Sequence, residues 1–234
     1  MFRRISLTII FLAISLLLNN AATFAEEVTR NYDDKDFHSV SVGWGMKLKI
    51  TQSDNYSIEI KAEKRDFKYL KVESSGSRLR IYIDKNNYRR DNDIYVTITM
   101  PALTGLELSG GTEGIIKTDV SGKNFTAELS GGSELKGNLK CADINLELSG
   151  GSELSLNGTG KDLKVEGSGG SELKMKEFAV KDVTADLSGG SEVQIKMDGK
   201  INCDLSGGSE VIYWGTAILG NTDFSGGSSI SQGD

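Results

Sequence analysis

Acidic side chains recur at two fixed offsets from a phrase, Ser-Gly-Gly-Ser/Thr, that the chain repeats seven times. Two residues before the phrase stand Glu107, Glu128, Glu147, Glu166, Asp186, Asp204 and Asp223, the leading ladder. Four residues after its first serine stand Glu113, Glu134, Glu153, Glu172, Glu192 and Glu210, the trailing ladder. Carboxylates stacked this way suit two chemistries. Hard cations such as Ca²⁺ take carboxylate oxygens at the spacing of neighbouring strands; Glu128, Glu147, Glu166, Asp186 and Asp204 are the candidate ligands, and no other cofactor is indicated. A polar surface ligand could instead be met directly by Glu113, Glu134, Glu153, Glu172, Glu192 and Glu210, with Trp214 as a stacking or anchoring platform. The plain alternative is a solvated acidic face that serves solubility and discourages lateral sheet association. Like charges about 5 Å apart cost on the order of 1 kcal/mol or less per neighbour in water.

Hydroxyls form a second array. The phrase opens on serine in all seven copies, and its last residue is Thr112, Ser133, Ser152, Ser171, Ser191, Ser209 or Ser228. Such a lattice could bind a polysaccharide or a protein strand. More simply, it could hydrogen-bond at the corners and satisfy local backbone groups. Catalysis finds less support. His38 is the only histidine and lies far from the repeats, where a structural role is expected. Neither a nucleophile elbow nor a His/Cys metal spacing is present. An enzyme cleaving acidic polysaccharides would use carboxylates on one face. A catalytic pair, however, is a local departure from a repeat, with the two groups in contrasting environments.

The elements that must position these groups follow from the period. The phrases start at Ser109, Ser130, Ser149, Ser168, Ser188, Ser206 and Ser225, 18 to 21 residues apart. A fixed period near 20 is that of a solenoid. One residue before the phrase stand Leu108, Leu129, Leu148, Gly167, Leu187, Leu205 and Phe224. Three before stand Leu106, Ala127, Leu146, Val165, Ala185, Cys203 and Thr222. Alternation with polar residues predicts a strand with one buried face, resumed after the glycines by Leu135, Leu154, Leu173, Val193, Val211 and Ile230. Each coil is thus expected to hold a strand, a Gly-Gly corner, a second strand and a looser return. Stacked in parallel, these make an all-β, right-handed parallel β-helix of about 19–20 residues per coil. Both acidic ladders and Trp214 then face outward, whereas Trp44, between two glycines, is expected in the core or cap. Trp214 has a second reading, covering the end of the core beside Tyr213 and Ile218.

Three segments are expected. Residues 1–25 pair Arg3 and Arg4 with a 14-residue mostly apolar run and small residues at Thr23 and Ala25, the pattern of a secretory signal peptide. Residues 26–100 keep the alternation without the phrase and should form a less regular N-terminal β part that caps the stack; Lys61 to Arg90 within it is locally basic. Residues 101–234 hold the seven coils. The net charge is −6, or −8 once the leader's two arginines are removed, which argues against a nucleic-acid partner. No membrane span is expected after leader cleavage. Cys141 and Cys203 lie three coils apart, about 14 Å, beyond the ~7 Å reach of a disulfide. Both read as small buried thiols.

These features resemble a known family. The Gly43–Ile50 segment, the Tyr95–Leu103 strand and the Leu-Ser-Gly-Gly-Ser-Glu coils together look like the "putative auto-transporter adhesin, head GIN domain" family. The resemblance implies a right-handed β-helix in the bacterial envelope or outside the cell. It supplies no catalytic motif, and the chain has no room for a translocator barrel. The expected role is binding, adhesion or structure, with an envelope glycan or surface protein as partner. A polysaccharide-acting β-helix enzyme is the alternative.

Overall fold

A computed structural model describes residues 26–89 and 92–234, so the expected leader lies outside the described residues. All 17 strands belong to one continuous sheet. The N-terminal part contains β1 (Glu27–Tyr32), β2 (Ser39–Val42), β3 (Lys47–Gln52), β4 (Ser57–Glu63), β5 (Leu70–Ser75), β6 (Arg78–Ile83) and β7 (Tyr95–Met100). The pairs β1/β4, β4/β7 and β5/β6 are antiparallel. The solenoid follows as β8 (Gly105–Leu108), β9 (Glu113–Ile116), β10 (Val120–Leu129), β11 (Glu134–Leu148), β12 (Glu153–Gly167), β13 (Glu172–Val180), β14 (Asp182–Leu187), β15 (Glu192–Leu205), β16 (Glu210–Phe224) and β17 (Ser229–Gln232). Its pairings are parallel throughout, and β2 and β3 join it in parallel against β8 and β9.

Glycine is required at the corners for two reasons. The first glycines have φ between 61° and 68° and the second between 74° and 85°, the left-handed region closed to most side chains. From Gly131 onward, a Cβ on the first glycine would also fall 2.8–3.2 Å from the backbone nitrogen of the glycine one coil before. The second glycine faces open space in every corner but that of Gly208, where the Gly226 carbonyl oxygen lies at 3.9 Å. A further corner precedes the seven. Trp44-Gly45 joins β2 to β3, with Trp44 at φ 67° in the place of a first glycine and directly beneath Gly110. Trp44 is 41% exposed, so the expectation of a core or cap position fails. The turn uses its backbone as a corner and turns its indole out.

The expected looser return is confined to the breaks between β9 and β10 and between β13 and β14. Strands β11, β12 and β16 each run 15 residues, and β15 runs 14, from one corner to the next. The ladder continues round the bend without a register shift between β11 and β12, and with a bulge between β12 and β13 at Ser155 to Gly158.

The three inward columns are buried from β8 to β15. Phe224 and Leu219 in the last coil are 41% and 55% exposed, because β17 pairs only with Glu210 to Tyr213. Beyond Tyr213 the C-terminal segment reaches only Trp214 and Gly215, by the Asp234 carbonyl and the Gln232 side chain.

Cys141 and Cys203 are both free and buried. Burial raises both thiols, that of Cys203 to about 11. A raised pKa means less thiolate at any given pH, and thiolate is the reactive form. Native protein at pH 8 should therefore react slowly with a disulfide reagent, and unreduced protein in denaturant should yield two thiols at once. Rapid modification of the native protein would contradict this burial, and zero thiols in the denatured monomer would contradict the coil separation.

Candidate ligand-binding surface

Parallel pairing in register aligns like residues of successive coils. The leading ladder runs Glu107, Glu128, Glu147, Glu166, Asp186, Asp204, Asp223, each opposite the next. The trailing ladder runs Glu113, Glu134, Glu153, Glu172, Glu192, Glu210 in the same way. None of these carboxylates is buried.

The two ladders differ in their partners. Two residues beyond the trailing ladder is a column containing Lys136, Lys174 and Gln194. Lys174 lies 2.9 Å from both Glu153 and Glu172, and Lys136 pairs with Glu134. Lys47 pairs with Glu113, and Gln194 donates to Glu192 at 2.6 Å. Three lysines thus serve four of the six carboxylates of this ladder, and Glu192 has an amide partner. In the leading ladder only Glu107, 3.4 Å from Arg78, and Glu166, 2.5 Å from Lys164, have ion-pair partners among the described residues. Glu128, Glu147, Asp186, Asp204 and Asp223 face solvent without one.

Beside the bare carboxylates runs a groove of about 350 Å³. Its walls are Glu107, Glu128, Glu147, Glu166 and Asp186 of the leading ladder and the corner serines Ser130, Ser149, Ser168 and Ser188, and its lining includes Leu129, Leu148 and Gly167. Carboxylates accept hydrogen bonds and hydroxyls both donate and accept. A ligand rich in hydroxyl groups would find both roles repeated once per coil. The cation expectation gains no assembled site: among the described residues no three Asp, Glu, His or Cys side chains converge as a metal shell requires. A ladder offers carboxylates in line rather than around a point.

A family model described as "Putative auto-transporter adhesin, head GIN domain" matches residues 36–217. The chain belongs to this family. Its fold is shared with the crystal structure of "a putative adhesin" from Bacteroides fragilis, TM-score 0.81 at 20% identity, covering 88% of this chain and 97% of that one. A second "putative adhesin", from Parabacteroides merdae, gives 0.72 at 15% identity over 90% and 98%. A "putative lipid binding protein" from Parabacteroides distasonis gives 0.68 at 18% over 90% and 98%. None of these three is named as an enzyme. No curated protein matches the chain. The family's description is that of an exported bacterial protein. No helix among the described residues is long and apolar enough to cross a membrane.

The remaining candidates of this head GIN domain fall as follows. The last hydroxyls of the first six phrases are buried rather than displayed. Thr112, Ser133, Ser152, Ser191, Ser209 and Ser228 donate to the carbonyl three residues earlier at 2.6–2.8 Å, closing six of the seven corners, while Ser171 bonds the Leu148 carbonyl at 3.3 Å. Only the opening serines are left for a ligand. Trp214 is half-buried: Lys176 lies 4.3 Å over its ring and its Nε1 donates to the Asp234 carbonyl at 3.2 Å. It holds the C-terminal segment as well as facing out. His38 is exposed and bonded to Thr104 at 2.7 Å. Sequence reasoning missed three exposed apolar side chains, Trp44, Tyr95 and Ile115. For Trp44 the signal was its flanking glycines, which mark a corner.

Proposed function

We propose that this head GIN domain is an exported envelope protein that binds a hydroxyl-rich surface ligand, such as a neutral glycan chain, along the leading-ladder groove. The observation that carries this reading is the run of unpaired carboxylates in register beside corner serine hydroxyls. The adhesin names of its structural relatives support a binding role. Binding is favoured over cleavage because every ladder carboxylate occupies an equivalent outward position, whereas an acid–base pair needs contrasting surroundings.

A glycan array followed by calorimetry tests it. The triple variant Glu128→Gln, Glu147→Gln, Asp186→Asn should weaken binding by at least about tenfold, as loss of several charged hydrogen bonds would. The matched Glu134→Gln, Glu153→Gln, Glu172→Gln variant should leave it unchanged. Equal effects, or cleavage of the bound glycan, would refute the proposal. Calcium enters as a separate arm. If either ladder holds Ca²⁺, millimolar calcium raises the melting temperature at fixed ionic strength by mass action. The bare geometry of the leading ladder leads us to expect no such rise.

A further inference from the structure

The trailing ladder changes sign at its N-terminal end. Across the sheet from Glu113 the same row continues as Lys47, then Tyr95, then Lys61. In the next row, Ile115 lies between Lys136 and Lys49. This outward face therefore passes from six acidic coils to a basic, partly apolar patch. A cleft of about 390 Å³ opens there, lined by Tyr95, Ile115, Lys47, Lys49, Lys117 and Lys136 among others. Tyr95 is 47% exposed and Ile115 42%. Lys47 and Lys136 are paired with Glu113 and Glu134. Lys49 and Lys117 have no carboxylate partner among the described residues.

We infer that this cleft is a second binding site, for an acidic glycan built of uronic acid units. Charge complementarity selects an anion: four lysines against Glu113 and Glu134 leave two ammonium groups, Lys49 and Lys117, unpaired at the cleft in a chain whose net charge is −6, so an acidic ligand is held here and repelled along the ladders. The exposed tyrosine selects a ring. Its face takes the C–H face of a sugar while its hydroxyl stays in water, and Ile115 adds apolar surface beside it. The carboxylate of the ring then reaches Lys49 or Lys117. An acidic peptide is less suited, because β3 is already paired on both edges, with β7 and β9, and offers no free strand edge. A lipid surface is also less suited, since Tyr95 and Ile115 lie on a sheet face ringed by charge. The site differs from the leading-ladder groove in place and in ligand charge, so either can fail alone.

Calorimetric titration of the full domain with oligogalacturonate, with a neutral galacto-oligosaccharide, and with anionic phospholipid vesicles tests the assignment. The acidic oligomer should bind, more weakly as salt rises; the neutral one and the vesicles should not. Tyr95→Ala should weaken binding by about tenfold or more, the effect of removing an anchoring aromatic. The Lys49→Gln, Lys117→Gln double variant should do the same, with melting temperature unchanged in both. The Glu128→Gln, Glu147→Gln, Asp186→Asn variant should bind oligogalacturonate as the native protein does. Failure of the native protein to bind it, equal binding of the neutral oligomer, indifference to the Tyr95 and lysine changes, or binding of vesicles alone would each overturn the site.

Discussion

Gly158→Ala should be among the most damaging single-methyl additions in the molecule, lowering stability by more than about 3 kcal/mol, or roughly 10 °C in melting temperature. Gly158 sits in the bend of β12, in register with Leu139 of β11. A Cβ there would lie 1.9 Å from the Leu139 carbonyl oxygen and 2.9 Å from its carbonyl carbon. Those are backbone atoms held in the ladder, so relief requires the two coils to separate. The backbone adds its own penalty, since φ is 133°. Gly151→Ala is the control. It also has positive φ, at 75°, but nothing within 4 Å of its Cβ. Its cost should be the left-handed penalty alone, about 1–2 kcal/mol. Urea or thermal melts of the two variants decide the matter. Equal losses would mean that the close approach of the coils at Gly158 is wrong.

The contrast between those glycines shows what the sequence could and could not reveal. The Gly-Gly corners were legible because they repeat, and a repeat aligns its own columns. Leu148, Leu129 and Leu108 fall inward by the same count that places Glu147, Glu128 and Glu107 outward. The bend glycines repeat less regularly: Gly158 has Leu139 opposite it in one neighbouring coil, so no column announced it. Alternation also fixes a side chain's face but not what crosses above it. Phe224 keeps the inward phase and is exposed, because the next coil stops pairing at Gln232 opposite Tyr213. Ser152 keeps a polar identity and is buried, because its hydroxyl closes its own corner at 2.6 Å.

The candidate surfaces divide on the same line. That each acidic ladder is in register was readable from spacing. Their different pairing depends on lysines brought alongside by the coil, such as Lys174 lying between Glu153 and Glu172. The Tyr95 cleft was least legible of all. Its residues come from β3, β7, β9 and β11, with Lys117 just past β9, and Lys49 meets Ile115 across 66 positions of sequence. No local pattern in residues 26–100 could place them together, since that part lacks the period that aligned the rest.

Leu148→Asp should cost several kcal/mol and leave little folded protein at ambient temperature. Leu148 is 4% exposed and stands between Leu129 of β10 and Gly167 of β12 in an interior column. Gly167 does not leave room for water beside it. A Cβ there would meet the Leu187 side chain at 2.8 Å, so Leu187 already fills that space. A carboxylate at 148 would be enclosed by leucines with no cation in the column to pair it. The adjacent residue gives the comparison. Ser149 is half-buried in the corner, and the group that accepts the Ser152 hydroxyl is its backbone carbonyl, which Ser149→Ala preserves. That change should stay within about 0.5 kcal/mol. Chemical melts of both variants separate inward from outward positions one residue apart. Comparable losses would show that the alternation does not set the faces, and with it would go the placing of Glu147 and the whole leading ladder on the solvent side.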